Sequence, residues 1–194
     1  NGTFINQQLF PKIGYQSAYE LQNNDTRKSY ALAAKRRLPL LEDKGARKNN
    51  MLSNDADWIN FEIKASTAED QILVAPGYLQ KEWKQGGRHY FHYKMDKPIL
   101  NFYSILSAKY AVKKDVWKGK DGKIVNLEIY YHPTHHYNLN RMIKGMKEAL
   151  TYCSENFSPY QYRQMRILEF PRYAGFAQSF ANTVPYSESI GFIA

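Results

Sequence analysis

The sequence predicts a mainly β protein with a smaller α component: an antiparallel β-sandwich or saddle-shaped domain, followed by a helix and a strand that open a second layer. Three observations predict it. Apolar and polar residues alternate with a period of two through residues 57–132, the sign of half-buried strands. Gly86-Gly87 and Asp121-Gly122 supply the positive-φ residues that tight hairpin turns need. From Tyr137 the apolar period changes to three and four, the sign of an amphipathic helix.

Residues 1–56 are expected to be irregular and partly helical, packing on the sheet domain. Pro11, Gly14, Pro39 and Gly45 break this region, and helical stretches are expected around Ser17–Gln22 and Thr26–Lys35. Asp25 and Thr26 are N-cap candidates, and Pro39 should end any helix before it. The β domain is expected over residues 57–134. In the run 57–65, Ile59, Phe61, Ile63 and Ala65 point one way while Asn60, Glu62 and Lys64 point the other. Runs 71–76, 88–95, 102–112 and 125–131 each read as a strand, and the 16 Tyr and 10 Phe suit pleated surfaces. A sandwich that binds carbohydrate would also be rich in aromatic residues, but would have to display the rings.

A helix is expected from Asn138, a candidate N-cap, to about Asn156. Leu139, Met142, Ile143, Met146, Ala149, Leu150 and Cys153 form its apolar stripe. Ser158 and Pro159 stop it, and Met165–Phe170 reads as a further strand, with Pro171 leading into a loop of small, polar and aromatic residues that ends near Glu188. Residues 135–194 therefore form a third, incomplete part. That C-terminal stretch resembles the approach to an active site whose partner residues are missing, so the chain is expected to be a fragment.

Composition excludes some classes of function. Apolar residues make up 43% of 194, no run of 18 apolar residues offers a membrane span, and the first ten residues lack the basic and apolar regions of a signal peptide. A single cysteine cannot close an internal disulfide, and Cys153 on the apolar stripe is expected to be a small core residue. The net charge of +9 concentrates in residues 27–48, where Arg27, Lys28, Lys35, Arg36, Arg37, Lys44, Arg47 and Lys48 face only Glu42 and Asp43. Such a cluster could meet nucleic acid or anionic lipid. No helix-turn-helix, zinc finger or RNA-binding sheet accompanies it, so a solvated helix and loop is the stronger reading, and no nucleic-acid partner is expected.

Candidate chemistry is sparse. His132, His135 and His136 lie close enough in sequence to share a transition metal. They form no His-x-x-x-His pair, and Pro133 makes the segment a turn, so a surface turn or interdomain hydrogen bonding is expected in place of a metal site. His89 and His92 fall on opposite faces of one strand and cannot jointly hold an ion. No nucleophile elbow, phosphate-binding glycine loop, paired-Cys zinc site or His-Glu-x-x-His sequence occurs, so no catalytic residue is assigned.

The ordered set of aromatic, Pro and Gly landmarks carries a resemblance. It runs through DWINFEIKAS, QILVAPGYLQKEW, YFHYKMDKPILNFYSILSAKY, LEIYYHPTHHYNLNRM and LEFPRYAGFAQSFANTVPYSESIGFIA. This set resembles the aminopeptidase N-like (gluzincin) zinc metallopeptidases, most of all the branch joined to an ABC-transporter permease. NGTFINQQLFPKIGYQSAYEL at the start fits the same branch. The resemblance implies a saddle-shaped N-terminal β domain and the first helix and strand of a thermolysin-like catalytic domain. The family's exopeptidase loop, Gly-Ala-Met-Glu-Asn or similar, binds the substrate's free α-amine through its Glu. The position matched to that Glu is Glu188, with Gln178 and Tyr186 as further substrate-binding candidates, and a local cap or Arg partner is the alternative for Glu188. Pro185, Tyr186 and Ser187 stand where the family has glycine-rich backbone, and Ser189 stands in place of Asn.

The resemblance further implies a parent protein whose zinc ligands lie beyond Ala194, with no metal or other cofactor held by these residues. It implies a peptide substrate or protein ligand, the parent's own transmembrane permease region as a partner, and a place outside the cytoplasm at a bacterial inner membrane. These residues would serve as scaffold and as part of the substrate cleft. The alternative is a peptidase fold without catalysis that serves binding or regulation of an ABC transporter.

Overall fold

The computed structural model describes residues 2–11, 19–35, 38–48 and 57–190. They form mostly antiparallel sheets with few helices, as the alternating pattern predicts. β1 (Gly2–Asn6) opens the chain and α1 (Asn24–Ser29) follows. Seven strands come next: β2 (Trp58–Ile59), β3 (Glu62–Ala68), β4 (Ile72–Val74), β5 (Tyr78–Gln85), β6 (Arg88–Lys94), β7 (Ile99–Leu100) and β8 (Ser104–Ala108). The remainder comprises β9 (Ala111–Lys118), β10 (Ile124–Tyr131), α2 (Leu139–Asn156), β11 (Gln164–Phe170) and β12 (Thr183–Ser187).

The β5–β6 hairpin turns through Gly86 and Gly87, at φ 57° and 70°, and β3 lines its other side to give the order β3-β6-β5. β5 was not anticipated, because its residues YLQKEWKQ are polar on both faces and mostly exposed. The run 57–65 divides into β2 and β3, with Phe61 buried between them. The run 102–112 likewise divides. β8 joins β1 and β4, whereas β9 leaves for a different sheet after the exposed Lys109. β1 was also unforeseen. It pairs with β8 along its full length and places Phe4 against Phe170.

The N-terminal region departs from expectation beyond β1. Asn23, and neither Asp25 nor Thr26, caps α1: its Oδ1 accepts from the N–H groups of Asp25 and Thr26. α1 ends at Ser29, short of Lys35, and Ala31 takes φ 55°. No residue described between 19 and 48 is buried. The expected helix around Ser17 and the cations Arg36 and Arg37 fall outside the described residues, wholly or in part.

The last sheet has the order β12-β11-β10-β9 and is mixed. β9 and β10 pair antiparallel, while β10, β11 and β12 run parallel. The sequence puts a domain boundary between residues 134 and 135, yet this sheet crosses it, since β10 on one side pairs with β11 on the other. α2 packs on this sheet through Leu139, Ile143, Met146 and Leu150, which meet Val125, Leu127 and Ile129. Its observed span is close to the expected one. Asn138 stands at the cap in the left-handed region, φ 65°, without a side-chain capping bond. Cys153, expected in the core, is instead exposed, because it borders an open cleft beside Tyr160 and Met165.

A second face of the same sheet packs on β4 and β8, where Val74, Leu106, Tyr130, Leu168 and Phe170 form one core. Arg166 crosses that seam. It is 1% exposed and donates to the carbonyls of Ala75 (2.8 Å) and Gly77 (2.9 Å) and to Asn182 Oδ1 (2.8 Å). Gly77 sits at φ 97°, with Lys94 backbone 2.6 Å from where a Cβ would be, so glycine is required there.

Candidate functional site

Three parallel strands end on one edge of the mixed sheet, where loops can present side chains without disturbing the core. Glu169 is the penultimate residue of β11. Met165 and Ile167 face α2, and strand alternation puts Glu169 on that same apolar side, where it is 4% exposed. A buried carboxylate needs partners. One is Tyr186, directly opposite in register on β12, whose hydroxyl lies 3.5 Å from Glu169 Oε2. Burial, reinforced by the Glu169 charge, raises the Tyr186 phenol above its ordinary range and keeps it a donor. The Tyr110 hydroxyl donates to the Glu169 carbonyl at 2.7 Å, and its phenol is raised chiefly by burial as well.

The other partner is His135, from the loop between β10 and α2. The His135 N–H donates to the His132 carbonyl at 2.8 Å, closing the turn that Pro133 implies. His132 Nδ1 meets Thr134 Oγ1 at 2.7 Å, and the rings of His132 and His135 lie 5.0 Å apart. This turn aims His135 Nδ1 into hydrogen-bond contact with Glu169 Oε1. His136 points elsewhere: it is exposed against Tyr137. The three histidines therefore form a surface turn in which one imidazole reaches into the sheet edge. His89 and His92 stay separate, the first bound to Glu82 and the Gln71 carbonyl, the second to Glu62.

Glu188 follows β12 directly. Its N–H donates to the Phe170 carbonyl (2.9 Å), its Oε1 accepts from the Arg172 N–H (3.1 Å), and the Arg172 Nε lies 3.9 Å away. These contacts clasp the turn after β11. They also bring Glu188 beside the buried pair, so that ligand atoms of His135, Glu169 and Glu188 all lie within 4.8 Å of one another. Gln178 belongs to a segment that folds back along β12. Its N–H donates to the Pro185 carbonyl (3.1 Å), Ala177 bridges Tyr186, and its side chain is exposed.

Of the candidates from sequence, Glu188 and Tyr186 meet around Glu169, while Gln178 lies on the outer edge. Glu169 itself was missed, as was its pairing with His135. The signal lay in MRILEF: a carboxylate two residues after Ile167 and four after Met165 sits within an apolar stripe and must be partnered.

Comparison of the sequence with known protein families and with characterised proteins finds no match. Solved structures do match. Aminopeptidase A of Legionella pneumophila, in complex with aspartic acid, aligns with 75% of this chain at 17% identity and a TM-score of 0.63. A two-domain M1 zinc metallopeptidase variant bound to L-tryptophan aligns with 72% at 11% identity and 0.62. The M1 zinc metallopeptidase of Deinococcus radiodurans aligns with 73% at 11% identity and 0.60. The matched regions span 18%, 32% and 33% of those proteins. The chain thus has the fold of a portion of the M1 zinc aminopeptidases.

Proposed function

We propose that this chain is scaffold and one wall of the substrate cleft in a peptidase-like protein of the M1 aminopeptidase type. The observation that carries this reading is the match to aminopeptidase A over three quarters of the chain. The zinc set that the resemblance implies, two His of His-Glu-x-x-His and a later Glu, is not fitted by these residues, because that sequence does not occur among them. No hydrolytic step is assigned to them, and the catalytic zinc of such a protein would be held elsewhere in it.

Within this reading Glu188 is the acceptor for a substrate's free α-amine, a charge-assisted contact worth about 1.5–3 kcal/mol. The parent would be tethered at the outer face of a bacterial inner membrane and joined to a permease. The test compares peptides with free and acetylated N-termini against the full-length protein. Glu188→Gln should weaken binding of the free-amine peptide at least tenfold and leave the acetylated one unchanged; equal effects on both would refute the role. The 194-residue chain with added zinc should turn over no aminoacyl substrate, and turnover abolished by Glu188→Ala would overturn that part.

A second reading, a binding or regulatory ectodomain without catalysis, is favoured by one observation. Glu188 Oε1 is already engaged by the Arg172 N–H, and Tyr186 is 4% exposed, so the amine site needs a rearranged loop. A full-length protein that binds peptide but does not cleave it would select this reading.

A further inference from the structure

We infer that His135, Glu169 and Glu188 form a binding site for a divalent transition-metal ion of the zinc type. One imidazole nitrogen and two carboxylates are a ligand set suited to Zn²⁺ and its first-row neighbours. They come from three separate places, the turn after β10, the end of β11 and the residue after β12, and the parallel pairing brings them to one edge. Metal–ligand bonds of about 2.1 Å in tetrahedral geometry put ligand atoms about 3.4 Å apart. The three ligand atoms lie within 4.8 Å of one another, so closing the site calls for an approach of about 1.4 Å at most.

Two further observations point to a ligand. The first is charge. Glu169 is 96% buried on the apolar face of the sheet, yet a second carboxylate is brought beside it, with Arg172 Nε no nearer than 3.9 Å to Glu188. Lys109, the other cation at this edge, is bound to Asp70. A doubly charged ion between the carboxylates offsets both charges where His135 can offset one at most. The second is support. The Tyr186 hydroxyl holds Glu169 Oε2 and the Arg172 N–H holds Glu188 Oε1, the outer contacts that orient carboxylate ligands at metal centres. Beside the cluster is a small pocket of about 70 Å³ bordered by Tyr110, His132 and Pro171, with room for a water as fourth ligand. On binding, His135 Nδ1 exchanges its hydrogen bond to Glu169 for the ion and must be unprotonated there.

The inference does not rest on the peptidase reading, and metal binding in the absence of peptide tests it alone. The experiment titrates untagged, metal-stripped chain with Zn²⁺ by calorimetry and with Co²⁺ by visible absorption, and follows Tm. One ion per chain is expected, with a Co²⁺ spectrum of nitrogen and oxygen ligands and a Tm that rises with metal concentration. His135→Ala and Glu188→Gln lie in loops and should keep the far-UV spectrum while weakening binding at least tenfold. Glu169→Gln should do the same and supplies the buried ligand's test. His136→Ala should bind as the unaltered chain does. Absence of saturable binding at millimolar metal overturns the site, as does binding that survives His135→Ala and Glu188→Gln or is lost in His136→Ala.

Discussion

Tyr93 shows how much one side chain depends on what covers it. In sequence it is one aromatic among 16 tyrosines on an alternating strand. In the fold it is 3% exposed, donates to the Leu73 carbonyl at 3.0 Å, and has its pKa pushed up to about 12, chiefly by burial. Because the folded state holds this proton more tightly than the unfolded chain, the contribution to stability is complete below pH 10. It is lost as the pH rises towards 12. The expected loss over that interval is up to about 2 kcal/mol from this residue. Urea midpoints measured between pH 9 and 12 should fall less steeply in Tyr93→Phe than in the unaltered chain. An unchanged slope would show that Tyr93 does not titrate with folding. At the same scale, Glu169 illustrates what a run of six residues conceals: MRILEF reads as one strand, and only its neighbours reveal which carboxylate is buried and by what it is held.

Among the elements, α2 was the most legible, because its period of three and four extends over five turns and needs no partner to be recognised. Its burial is narrower than its stripe. Leu139, Ile143, Met146 and Leu150 are buried, while Ala149 and Cys153 are exposed along an open cleft bordered by Tyr160, Tyr162 and Met165. Replacing Ile143 by Ala should cost about 2–5 kcal/mol, since it removes apolar volume from a fully packed layer against Val125, Leu127 and Ile129. The same change at the exposed Cys153 should be nearly silent. Chemical denaturation of the two variants checks the contrast, and equal losses at 143 and 153 would contradict this packing. The strands were less legible. β3, β6 and β10 announce themselves by alternation and β4 by a short apolar run, but β5 is polar on both faces, and β12 carries Pro185, which is tolerated there because an edge strand can spare an N–H.

For the whole molecule, the seam between sheets depends on Arg166. Its guanidinium reaches from β11 to two carbonyls in the β4–β5 turn and to Asn182 before β12, and its stem is fully enclosed. Arg166→Ala should leave those acceptors unpaired and cost about 2–5 kcal/mol, with loss of near-UV ellipticity from the aromatic seam. Arg166→Met, which keeps the volume, should recover only part of that loss; full recovery would mean that packing alone holds the seam. The region between 19 and 48 belongs to this scale too. Among its described residues, the exposed Tyr19, Tyr30, Leu38, Leu40 and Leu41 lie outside every core cluster.

The amino-acid sequence by itself determined the β-rich class, the helix over residues 139–156, the strand before Pro171 and the turn at His132–His136. Each of these follows from local chemistry: side-chain period, backbone freedom at glycine and its restriction at proline. The tertiary structure decided which strands share a sheet, that β10 and β11 pair across the expected boundary, and that His135, Glu169 and Glu188 meet. Those outcomes depend on pairing between residues far apart in the chain. A single sequence encodes which face each residue occupies, and the register between distant strands follows only once they pack.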